Sequence, residues 1–180
     1  MTEDKTWQDM REGDFQIAGF QFASGETLEE LTIRYITLGT PQHDPDGEIS
    51  NTVLLIHNTT GSGRTWLQPS LADELFGDGQ ALDLQKYFVV IPDMVDSTHR
   101  LLTECLGIGR LKLLLGISMG GMLAWIYGAK YPDFVEMLVP VASQPGPMSG
   151  RNWIQRRVSI EAIRNDPDWN NGDYETNPTR

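Results

Sequence analysis

The sequence is poor in the residues that would make several chemistries possible. It has one cysteine, Cys105, and three histidines, His43, His57 and His99. A single cysteine excludes an intrachain disulfide and a cysteine-built zinc cluster. None of the histidines stands in a metal-binding pattern such as H-E-x-x-H, so no metal site is expected. No apolar run approaches the roughly 20 residues that a membrane span requires. Positive charge is also scarce: 14 Lys and Arg stand against 25 Asp and Glu, a formal net charge of −11. Phosphates would be repelled, which argues against a nucleic-acid partner. The first eleven residues, polar and mixed in charge, lack the basic-then-apolar order of a secretion signal, and the chain reads as cytoplasmic or already processed.

What is present is a soluble globular composition, 39% hydrophobic and 22% charged over 180 residues. Phe15, Ile17, Phe20 and Phe22, then Leu31, Ile33, Tyr35, Ile36 and Leu38, predict an antiparallel pair of strands around the turn at Ser24-Gly25. Three continuous apolar runs follow, Thr52–Ile56, Tyr87–Ile91 and Leu111–Ile117, with a fourth at Met137–Val141. Continuous rather than alternating burial is the mark of strands covered on both faces. Helical spacing lies between them. It is interrupted by Pro69 in residues 66–76. It runs from Met94 to Leu106 with Gly107 as a C-cap, and again from Met119 to Lys130, where Met122, Leu123, Trp125 and Ile126 are the expected apolar face. Cys105, spaced with Leu101, Leu102, Leu106 and Ile108, is expected to be a buried, inert thiol. Strand and helix alternate, so the fold class is α/β with a mostly parallel sheet and an N-terminal antiparallel hairpin. After Ser143 the character changes, and Trp153–Arg164 reads as an amphipathic, basic helix.

The strongest chemical signal is Gly116-Ile117-Ser118-Met119-Gly120, a G-x-S-x-G between a buried strand and a helix. In a nucleophile elbow the chain reverses sharply and presents a serine hydroxyl above the sheet. The residues two before and two after that serine approach each other and must be small, as Gly116 and Gly120 are. Gly121 permits close packing of helix on sheet. Ser118 is then the catalytic nucleophile, and the helix N-terminus favours negative charge beside it. The Met119 N–H is one oxyanion donor; the second is expected from the loop after the Val53–Ile56 strand, from the backbone of Thr59. His57 reads as a structural residue of that loop. The same loop, Asn58 to Thr65, nearly matches a phosphate-binding G-x-x-x-x-G-K-[ST]. Asn58 replaces its first glycine and Arg64 its lysine, which disfavours nucleotide binding.

The extended elbow Leu115–Met122 resembles that of homoserine O-acetyltransferases and their hydrolase relatives, within the α/β-hydrolase superfamily. So do Ala162-Ile163-Arg164-Asn165-Asp166-Pro167-Asp168-Trp169, Gly172-Asp173-Tyr174, the opening Phe22–Leu28 and Tyr35–Gly39. The resemblance covers nearly the whole chain. It implies an α/β-hydrolase fold, a Ser-Asp-His triad and acyl transfer through a covalent acyl-enzyme on Ser118. It implies no bound cofactor, with acetyl-CoA as acyl donor if the protein is a transferase. Ile117 stands where the transferases carry a small residue, so an esterase of the same branch is implied as much as a transferase.

Two departures shape the expectations. Pro92-Asp93 runs directly into Met94, where relatives carry a Gly-rich loop, so a stretch is expected to be missing after Asp93. No histidine follows Ser118, and the triad Asp and His are not identifiable in this chain. It therefore reads as the N-terminal part of the fold, lacking the last strands: a core over 1–146 and the start of a helical lid over 147–180. Activity is expected to be impaired, and a non-catalytic domain that binds a ligand or partner is the alternative. The expected partners are a small-molecule ester or an acyl donor and acceptor. Neither nucleic acid nor membrane is expected. Uncovered core edges would favour self-association, for example as a homodimer.

Overall fold

A computed structural model describes residues 7, 9–93 and 97–176. The described chain divides into two compact units, Met1–Pro145 and Gly146–Arg180. The larger unit is built on a six-stranded sheet with strands β1 (Arg11–Gln21), β2 (Thr27–Leu38), β3 (Thr52–Ile56), β4 (Phe88–Pro92), β5 (Leu113–Ile117) and β6 (Leu138–Val141). Their spatial order is β1-β2-β4-β3-β5-β6. The first two form the expected hairpin, with Ile17 opposite Leu31 and Phe15 opposite Ile33. β2 joins β4 antiparallel, and from β4 to β6 every pairing is parallel. A mixed sheet of this kind is what the apolar runs predict.

The continuous runs arise because β3 is covered on both sides. Val53 and Leu55 point into one core with Trp66, Ala72, Phe76, Val89 and Ile91. Leu54 and Ile56 point into another with Val90, Leu102, Leu114, Ala124 and Tyr127. The first core is closed by a 3-10 turn, Gly63–Leu67, and helix α1, Pro69–Leu75. Pro69 does not interrupt this helix. It occupies the first turn, where a missing N–H costs no intrahelical bond. The second core is closed by α2 (Thr98–Arg100), its continuation Leu101–Cys105, and α3 (Met119–Lys130). Residues 94–96, which include the start of the expected helix and the join where a loop is expected to be missing, lie outside the described residues. Gly107 has φ +64 and ends the segment as a C-cap.

Three further sequence expectations are corrected. Cys105 is exposed, not buried. The segment Leu101–Cys105 winds as a π turn, with the Leu106 N–H bonded to the Leu101 carbonyl at 3.1 Å. The i→i+5 hydrogen bond widens the turn and rotates position 105 off the face shared by Leu101 and Leu102. On α3 the buried positions are Gly120, Gly121, Ala124 and Tyr127, while Trp125 and Ile126 are exposed. The first turns of the helix lie so close to the sheet that Gly120, Gly121 and Ala124 occupy the contact, and Tyr127 follows further along. β6 is half-buried, not buried, because it is the edge strand.

The smaller unit holds α4, Arg151–Arg164, none of whose residues is buried. Trp153, Ile154, Val158 and Ile163 are all exposed on it. The Asp-Pro-x-Trp run closes as a turn: the Asp166 carboxylate accepts the Asp168 N–H at 2.8 Å, and the Trp169 ring lies 5.5 Å from that of Tyr174.

A buried carboxylate organises the turn that feeds β4. Asp83 accepts the N–H groups of Gly79 at 3.0 Å and Gln85 at 2.9 Å and pairs with Lys86 at 3.2 Å. These bonds, the Gly79 one foremost, hold its pKa below the ordinary 3.8 although desolvation opposes them. A carboxylate with a depressed folded pKa stabilises the native state above its unfolded pKa and ceases to do so as pH falls through its folded value. Asp83→Asn is therefore expected to unfold at lower urea than the parent at pH 7. The difference should narrow as the pH is taken below about 4; a gap independent of pH would contradict the assignment.

Candidate active site

Ser118 is the joint between β5 and α3. Its backbone sits at φ 57, ψ −112, a conformation L-residues rarely adopt. Such a geometry costs about 1–3 kcal/mol and persists only where its surroundings dictate it. Here they do. The Ser118 N–H donates to the Val141 carbonyl at 2.9 Å, tying the turn to β6, and the Ser118 carbonyl accepts the Met122 N–H at 3.0 Å, tying it to α3. The side chain is half-buried.

The three glycines of the motif act as their spacing implies. A Cβ on Gly116 would collide with the Gly120 carbonyl, so the flanks of the elbow touch. A Cβ on Gly120 would collide with the Ile56 carbonyl and stand 2.7 Å from that of His57. The first turn of α3 is thus seated on the end of β3. One on Gly121 would meet the Ser143 Oγ at 2.5 Å. Met119 is the first residue of α3, so its N–H has no intrahelical acceptor.

β3 and β5 run parallel with Ile56 beside Gly116, so residues 57–61 and 117–119 leave the sheet at one edge. Thr59 stands there in an exposed turn. His57 is buried, with Nδ1 2.7 Å from the Asn58 carbonyl and Nε2 3.2 Å from that of Asp93. Both ring nitrogens face backbone carbonyls, which fixes the ring as a clamp. His99 bonds the Tyr127 hydroxyl at 2.9 Å, and His43 is exposed; none of the three histidines hydrogen-bonds Ser118.

The phosphate-loop alternative fails on its own amides. The Gly63 N–H donates to the Asp93 carboxylate at 2.6 Å and the Ser62 N–H to the Thr65 hydroxyl at 3.2 Å, while Arg64 pairs with Glu12 at 2.5 Å. The two amides are taken up within the protein and Arg64 is held by a carboxylate, an arrangement unlike a phosphate cradle. Among the described residues no group of three His, Cys, Asp or Glu could hold a metal ion. No helix among them is long and apolar enough to cross a membrane.

Two residues near the elbow escaped the sequence analysis. Asp93 joins three segments, through its carboxylate to Gly63, its carbonyl beside His57, and its N–H to the Arg34 carbonyl at 2.9 Å. Its position at a strand end after Pro92 was the only signal. Ser143, beyond β6, has a buried hydroxyl without a partner and packs against Gly121. Nothing local in the sequence marks it.

The family model of the α/β-hydrolase fold matches residues 87–179, and the chain belongs to that family. Among curated proteins it is similar to the homoserine O-acetyltransferase of Pelobacter propionicus, 31% identical over 201 residues, covering 89% of this chain and 52% of that protein. The homoserine O-acetyltransferase of Citrifermentans bemidjiense is 32% identical over 206 residues, covering 91% and 55%. Among solved structures, the homoserine O-acetyltransferase from Bacillus anthracis matches with TM-score 0.70 at 25% identity, covering 95% of this chain and 57% of that one. An acetylester hydrolase from Corynebacterium glutamicum matches in fold with TM-score 0.71 at 22% identity, covering 92% and 53%. The chain spans about half the length of the curated relatives it matches. The alignments run over more positions than this 180-residue chain contributes, so the relatives carry residues within the aligned region that have no counterpart here.

The seat of α3 on β3 can be tested by adding one methyl group. Gly120→Ala is expected to cost about 1–3 kcal/mol in urea unfolding, because backbone carbonyls block the new Cβ. Gly121→Ala is expected to destabilise as well, since its Cβ would stand 2.7 Å from the Ser143 Cβ and 3.0 Å from the Gly116 carbonyl. Equal stability of Gly120→Ala and the parent would mean the close approach is not real.

Proposed function

We propose that this protein carries out serine-dependent acyl transfer, ester hydrolysis or O-acyl transfer, through a covalent acyl-enzyme on Ser118. The observation that carries the reading is the strained backbone of Ser118, held between β6 and α3, with a half-buried hydroxyl. The similarity to homoserine O-acetyltransferases supports the reaction class. In the first half-reaction Ser118 Oγ attacks the acyl carbon, an Oγ–C bond forms, and the negative charge that develops on the carbonyl oxygen is met by the N–H groups of Met119 and Thr59. Collapse of that intermediate expels the alcohol or thiol, which takes up the hydroxyl proton. An alcohol or water then attacks the acyl carbon and restores Ser118. If the acceptor is an alcohol such as homoserine, acetyl-CoA is the matching donor.

The proton step is where the 180 residues are weak. No histidine follows Ser118 in the sequence, and none of the three present bonds to it. Without a base the hydroxyl stays protonated and nucleophilic attack is slow. A second reading is that the domain uses the same surface to bind a small ester or a partner without turning it over.

A fluorophosphonate probe followed by peptide mapping separates the two. The enzyme reading expects the label on Ser118 and none in Ser118→Ala. Thr59→Pro, which removes one oxyanion donor, should slow labelling by about 100-fold, and Thr59→Ala, which keeps the N–H, should not. Steady turnover of p-nitrophenyl acetate by the 180-residue chain should remain about 1,000-fold or more below the ~10 s⁻¹ of an ordinary enzyme. Labelling that survives Ser118→Ala would remove the serine assignment.

A further inference from the structure

A cavity of about 330 Å³ opens between α2 and α3. None of residues 116–121 lines it. One wall is a single face of α3, formed by Leu123, Ile126, Tyr127, Lys130 and Tyr131, whose spacing of three and four residues aligns them. The opposite wall is the segment from Ser97 to Arg100, and Ile56 also lines the cavity. The volume is at the small end of natural ligand sites.

The charges of this cavity are sorted in an unusual way. His99 stacks on Tyr131 with ring centroids 3.9 Å apart and bonds the Tyr127 hydroxyl. Burial, reinforced by the nearby Lys130 ammonium, lowers the His99 pKa, and Glu104 opposes this only in part. The imidazole is therefore neutral at mildly alkaline pH. Burial, with Tyr131 beside it, raises the Tyr127 pKa, so the phenol is neutral too. Arg100 is committed to Glu104 by two bonds of 2.7 and 2.9 Å. Lys130, 5.3 Å from the centre of the Tyr131 ring, has no carboxylate partner among the described residues, although the chain has a net charge of −11. The result is an aromatic and aliphatic cavity with Lys130 at its rim, a cation that meets the Tyr131 ring but no carboxylate among the described residues. Ile126, 61% exposed beside it, is an apolar surface that the fold itself leaves uncovered.

We infer that the cavity between α2 and α3 is a second ligand site, for a small carboxylate with an apolar or aromatic body. The body lies against Leu123, Ile126 and the tyrosine rings, and the carboxylate meets Lys130. Such a ligand supplies a cover for the apolar wall and a counter-charge for Lys130, which has no carboxylate partner among the described residues.

Phenylacetate is a suitable probe, with phenylacetamide and acetate as its neutral and body-less controls. Binding to the 180-residue protein would be followed by saturation-transfer NMR at pH 8. Phenylacetate is expected to bind saturably with a Kd on the order of 1 mM. Each control should bind at least about fivefold more weakly, and Lys130→Gln should weaken phenylacetate by a similar factor. Ile126→Trp, a substitution at an exposed position that fills the cavity, should abolish binding while leaving the thermal transition in place. Ser118→Ala should bind phenylacetate as the parent does, which keeps this site distinct from the catalytic proposal. Absence of saturable binding, equal affinity for the amide, indifference to Lys130→Gln and Ile126→Trp, or loss of binding in Ser118→Ala would each overturn the inference.

Discussion

The contact on which the rest of the site depends is the seating of the first turn of α3 on the end of β3. Backbone meets backbone there, with the Gly120 Cα pressed against the carbonyls of Ile56 and His57 and Gly116 against Gly120. No side chain can enter that space. The proximity forces β5 to turn into α3 within one residue, and that residue is Ser118. Its positive φ is a consequence of the close approach, and its hydrogen bonds to Val141 and Met122 distribute the strain over two neighbouring elements.

Parallel pairing then decides what surrounds the serine. Because β3, β4, β5 and β6 run the same way, each delivers its following loop to one edge of the sheet. The turn with Thr59, the elbow, Asp93 and Ser143 come from four separate stretches of sequence. Asp93 links the end of β4 to the loop after β3 through Gly63 and His57, so the two loops are held to each other as well as to the sheet. A rigid backbone frame at a strand edge is the arrangement on which α/β folds place chemistry, and the reacting groups change from protein to protein.

Legibility followed distance along the chain. The elbow was readable because its demands are local: small residues at fixed offsets from a serine, a buried strand before and a helix after. The hairpin was readable for the same reason. The errors came where an element's surroundings outweigh its own pattern. The apolar residues Trp125 and Ile126 of α3 suggested a buried face, yet the sheet lies against Gly120, Gly121 and Ala124, because close packing selects small side chains over greasy ones. Cys105 had the spacing of a core residue until a π turn shifted the register. Pro69, read as an interruption, is the start of a helix. The apolar run of β6 implied full burial, but the strand lies at the sheet's edge.

The sequence alone determined the class of fold and the serine at its turn, since each is a matter of composition or short-range pattern. Only the tertiary structure decided which carbonyls close over Gly120, that His57 is held between two backbone carbonyls, and that Lys130, His99 and Tyr127 share one cavity. Those facts join residues far apart in the chain, and such neighbours are chosen by sheet order and helix docking, which no local pattern encodes.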